Sequence, residues 1–334
     1  MPTVTSGGAK VWLVTGFRDV RAGLSDPRLS RDTRAAAHVI DGGGLDGQAL
    51  RALPLELADP LLRTESADRL RRLAASVFTP ERAERLRPRT AELAGELLTP
   101  LRHQRSVDLV AEVARPLPAR LVCGLLGLPV EDKILSWTEI LLAVHGRAGS
   151  SLPRYVAAVA DCDLVAALAA AETGADELLN LVAMLVVGGV EIAGSFVANA
   201  MSALLESTRQ VALARNAPTM VPDLVAELVR GSDPLRVGSF RRTVAPIRLG
   251  DKVIPAGELV MLAEGPSDRL DLGTVGHGVQ YRVGALLGRV LAETVLERLI
   301  GEFPRLRLAV PAGQIPWQFT RLSRAVESLP VEVS

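Results

Sequence analysis

The chain has 334 residues, 48% of them hydrophobic, and its 38 basic and 38 acidic side chains leave no net charge. That length is enough for a single domain with a large buried core. The charge balance excludes a polybasic nucleic-acid binder or membrane-surface protein. Two cysteines, Cys123 and Cys162, give neither a disulfide framework nor a metal-ligand spacing. The opening MPTVTSGGAKVWLV lacks a basic stretch followed by a long apolar core, so no signal peptide is expected and the cytoplasm is the expected compartment.

In chain order, VWLVT at 11–15 predicts a short strand and residues 19–24 a helix, while the glycines and prolines of 41–60 predict loop. Residues 69–88 have a helix–turn–helix pattern, with Thr79 as N-cap and Pro80 as first helical residue. The apolar run around Cys123 predicts a buried helix in which the thiol is a small apolar filler. Residues 178–205 are the longest apolar stretch and would span a membrane by length alone. Asn180, Glu191, Asn199 and the Gly188–Gly189 pair favour a buried central helix instead. Glu227 and Arg230, at i and i+3, share a helix face and are expected to pair. Residues 240–262 predict strands with Pro255-Ala256-Gly257 as a turn, and 275–289 (VGHGVQYRVGALLGR) predict a glycine-spaced loop leading into a helix.

Familiar catalytic patterns are missing. His38, His103, His145 and His277 are widely scattered and form no His-x-x-x-His pair, so no metal is expected. The sequence has no phosphate-cradling Gly-x-x-x-x-Gly-Lys and no Gly-x-Ser-x-Gly elbow. Gly276-x-Gly278 lacks the third glycine of a dinucleotide loop.

The 275–289 segment resembles the loop that carries the axial thiolate in the haem-thiolate monooxygenases of the cytochrome P450 family, whose pattern is Phe-Gly-x-Gly-x-His-x-Cys-x-Gly. Gly276, Gly278 and Gly284 match, as does the trailing Arg289, but Gln280 replaces the His and Arg282 the Cys. A guanidinium is cationic and has no lone pair, so it cannot replace a thiolate on iron. The family's Ala-Gly-x-Glu/Asp-Thr-Thr appears here as Gly188-Gly189-Val190-Glu191-Ile192-Ala193, so the acid persists and the proton-delivering alcohol is Ile192. Arg71, Arg242, Glu227 and Arg230 stand at family positions for propionate contacts and the Glu-x-x-Arg pair. The propionate His falls near Ala67. Tyr281 and His277 sit at the wrong loop positions to be axial ligands.

The resemblance spans nearly the whole chain and implies a mainly α fold with a smaller β region. It implies one truncated domain over 1–334, with a shortened lid near 146–175 and a shortened meander near 263–274. With thiolate, alcohol and propionate His replaced, it implies no haem or other cofactor. The chain looks like the haem-free homologues that accompany deoxysugar glycosyltransferases in macrolide and anthracycline biosynthesis. The expectation is a non-catalytic helper that binds such a transferase as a hetero-oligomer. The alternative is a haem-independent enzyme or binder of a small hydrophobic, polyketide-like ligand, with Glu191 and Arg282 as candidate catalytic groups. Without a catalytic role, Arg282 is expected to fill a cavity or to pair inside it with Glu227 or Glu191.

Overall fold

The computed structural model describes residues 2–4, 10–30, 67–129, 137–148, 151–171, 173–231, 239–262, 279–319 and 324–333. Its helices are α1 (Phe17–Ser25), α2 (Ala67–Val77), α3 (Pro80–Glu84), α4 (Arg87–Leu98), α5 (Pro116–Leu125), α6 (Trp137–Ala148), α7 (Leu152–Ala158), α8 (Asp163–Ala170), α9 (Ala175–Val186), α10 (Ala193–Leu205), α11 (Thr208–Asn216), α12 (Val221–Gly231) and α13 (Val279–Glu302). The strands that matter below are β1 (Pro2–Val4), β2 (Lys10–Val14), β3 (Leu29–Ser30), β4 (Ser106–Asp108), β5 (Ser239–Thr243), β6 (Ile247–Leu249), β7 (Lys252–Ile254), β8 (Leu259–Leu262), β9 (Arg307–Leu308), β10 (Trp317–Phe319), β11 (Arg324–Val326) and β12 (Pro330–Glu332). The mainly α fold with a smaller β region is as the sequence implies.

The chain groups into two compact units, the first comprising Met1–Ala67, Leu235–His277 and Phe319–Ser323. Its described part is a sheet ordered β1-β2-β8-β5-β3, in which β2 and β8 run parallel and the other pairs antiparallel. Alternation along β8 and β6 turns Val260, Leu262, Ile247 and Leu249 inward, where they pack with Val20 of α1, Leu29 and Ile254. The expected turn at Pro255-Ala256-Gly257 is present, and Gly257 supplies the positive φ of 89° that it requires. Thr243 secures this turn: its Oγ1 donates to Pro255 O at 2.6 Å and accepts from Glu258 N at 2.8 Å.

The second unit comprises Asp68–Pro234, Gly278–Gln318 and Arg324–Ser334 and is helical, with the small sheet β4-β12-β9. Thr79 caps α3 as the sequence predicts, its Oγ1 accepting from Arg82 N at 3.3 Å, with Pro80 in the first turn. The axis of the unit is one continuous helical rod, made of α9, a π-helical turn at Val187–Ile192, and α10. Every residue from Asn180 to Val190 is buried. Among the described residues this rod (Glu177–Leu205) is the one helix long and apolar enough to cross a membrane, and its apolar window is 89% buried within the fold. It is therefore a core helix. Asn199 ties it to β11, its Oδ1 accepting from Val326 N at 3.1 Å. Cys123 is buried in α5, as expected, and burial pushes its thiol up to about 11.

Arg87 ties α13 to α4 through a buried carboxylate. Glu293 is 0% exposed and accepts from Arg87 of α4 at 2.5 Å and from Arg289, one turn back, at 2.7 Å. Arg87 also pairs with Glu84, and these two carboxylates hold its guanidinium well above the ordinary arginine range. A carboxylate taken fully out of water survives only with such partners. Replacing Glu293 with Gln leaves Arg87 without its buried counter-charge, and chemical denaturation is expected to show a loss of about 3 kcal/mol. Glu84→Gln removes a 51%-exposed carboxylate and is expected to cost less than ~1 kcal/mol. Equal costs for the two variants would contradict the buried anchor.

Candidate functional site

The rod and α13 bring the expected site positions together at the π turn. A π turn adds one residue to the helical circuit and bends the ladder locally. Here it contains Gly188, Gly189, Glu191 and Ile192. Gly189 lets the rod sit close to two neighbours, since a Cβ there would lie 2.9 Å from Val122 and 3.1 Å from Leu287. Ile192 is 3% exposed and Glu191 is half-buried; the carbonyl of Glu191 accepts from Ser195 Oγ at 2.9 Å.

The loop expected to run through Gly284 is instead helical from Val279, so Gln280, Arg282 and Gly284 belong to the first two turns of α13. The run VQYRV contains neither Gly nor Pro to stop a helix, and Gly284 is buried where its missing side chain leaves room for a neighbour. A Cβ on Gly284 would lie 2.5 Å from the Cβ and Cγ2 of Ile192 and 2.8 Å from Gly188 O. One turn on, a Cβ on Gly288 would lie 2.7 Å from the Cβ of Phe196. Two glycines of α13 thus receive two large side chains of the rod, and the helices meet in direct backbone-to-side-chain contact.

The other expected residues are dispersed or lie outside the description. Gly276, Gly278, His277 and the meander at 263–274 are outside the described residues, as are the side chains of Arg71, Arg230, Tyr281 and Arg282. The expected ion pairs Glu227–Arg230 and Arg282 with Glu191 or Glu227 therefore fall outside them too; Glu227 is exposed on α12. Arg242 lies half-buried in β5 of the first unit, its Nε buried without a partner. Among the described residues no group of three or more His, Cys, Asp or Glu is placed to hold a metal.

One feature of the rod escapes the sequence reading. Asn180 is 1% exposed, and both its Oδ1 and its Nδ2 are buried with no hydrogen-bond partner among the described residues. The only signal is an amide within LLNLVAMLVV, which marks a core helix without revealing an unmet need.

The family resemblance of the 275–289 segment is tested by comparison with known proteins. The comparisons agree. The chain is 33% identical to cytochrome P450 107B1 of Saccharopolyspora erythraea, covering 98% of this chain and 90% of that one. It is 32% identical to mycinamicin IV hydroxylase/epoxidase of Micromonospora griseorubida, covering 97% and 90%. Among solved structures, the tirandamycin C-bound P450 monooxygenase TamI superposes with a TM-score of 0.74 at 31% identity, covering 98% of this chain and 91% of that one. No protein-family profile matches. The chain belongs to the cytochrome P450 family. Its alignment with the 107B1 protein extends over 365 positions, more than its own 334 residues, so that relative carries segments which this chain lacks.

These relatives correct the expectation of no cofactor: they are cytochromes and monooxygenases by name, and the family points to haem. The residues do not fit a haem held in the family's manner. Arg282 offers iron no lone pair, and Gly284 packs onto Ile192 and Gly188, where the resemblance puts the haem face of the central helix. No reaction step is derived through haem here.

A methyl group at Gly284 has no space. Gly284→Ala is expected to lower the unfolding free energy by about 1–3 kcal/mol, and Ile192→Ala in the same chain is expected to recover part of that loss. Additive costs in the double variant would show that the two residues do not interlock.

Proposed function

We propose that this chain acts through binding a protein partner in natural-product biosynthesis, with a deoxysugar glycosyltransferase as that partner, and not as an oxygen-activating enzyme. The observation that supports this reading is the pair of replacements at the family's two chemical positions. Arg282 stands where the thiolate would be and Ile192 where the alcohol would be, and Ile192 is used as a packing residue against Gly284. An isoleucine can neither donate nor relay a proton. The fold's large core persists without those groups, which suits a scaffold that presents a surface. The relative named for mycinamicin IV and the tirandamycin C-bound structure support the biosynthetic setting. A partner that binds only the competent conformer of a transferase raises that conformer's population, and so its activity, by mass action.

The test is co-expression with a glycosyltransferase from the chain's own gene cluster, with sugar transfer assayed with and without it. A stable complex and a transfer rate at least tenfold higher with the chain present are expected. Hydroxylation of a macrolactone by the purified chain, supplied with electrons and dioxygen, would overturn the proposal.

Asn180 favours a second reading, a ligand-binding core. A buried amide left unpaired costs about 1–3 kcal/mol per group, and such a group calls for a partner that is not part of the chain. On this reading a neutral ligand with a carbonyl or hydroxyl satisfies Asn180. Asn180→Leu is expected to raise the melting temperature of the ligand-free protein by a few degrees, on the order of 1 kcal/mol, and to abolish any stabilisation by an added macrolactone. A lowered melting temperature would show that the amide is already satisfied.

A further inference from the structure

No further inference is drawn: the strongest candidate, the surface groove in which Val211 and Arg215 of α11 face Leu205 and Leu306, is lined half by polar groups and lies on the other face of that helix from the exposed Leu213, and nothing in the structure shows what covers it.

Discussion

The contact on which the second unit depends is the interlock of α13 with the central rod. Glycines 284 and 288 are there because Ile192 and Phe196 occupy the space their side chains would take. Close packing of this kind allows no methyl to be added without shifting a helix. It also engages the π turn, which carries Gly188, whose carbonyl faces Gly284, and Gly189, which lets Val122 and Leu287 close in. Glu293 then ties α13 to α4 through Arg87, with Arg289 of the same helix as a second partner. Apolar interlock on one side and a buried ion group on the other hold one helix in a single position.

That arrangement bears directly on function. The π turn carries the acid and the position of the alcohol that the resemblance names, and its Ile192 packs against Gly284. The two readings proposed above place the contact with other molecules on the exterior or at Asn180 within, whose amide has no partner among the described residues. The two possibilities differ physically: the first is a surface burying area against a macromolecule, the second an amide waiting for one polar atom.

Much of the fold was legible in the sequence. Thr79-Pro80, Pro255-Ala256-Gly257 and the apolar run 178–205 each carry a local rule that the structure obeys. The resemblance supplied what periodicity could not, namely that these elements belong to one known architecture. The site was less legible. The glycines of 276–284 are expected to let a loop press close to a partner surface by their missing Cβ, whereas Gly284 makes such a close approach from within a helix. Sequence spacing does not separate those two uses, because both require the same residue. Nor could it show Asn180 as unpaired or Leu213 as exposed, since both depend on which neighbours the tertiary fold supplies.

Native-state hydrogen exchange across the interlock tests the account most directly. Amides of 187–197 and 285–292 should be among the slowest in the chain and open only with global unfolding, because neither helix can part from the other without exposing the core. Fast, local exchange at the π turn while α10 stays protected would contradict it. The seam would then open in the folded protein, leaving the π turn accessible to a group between the helices.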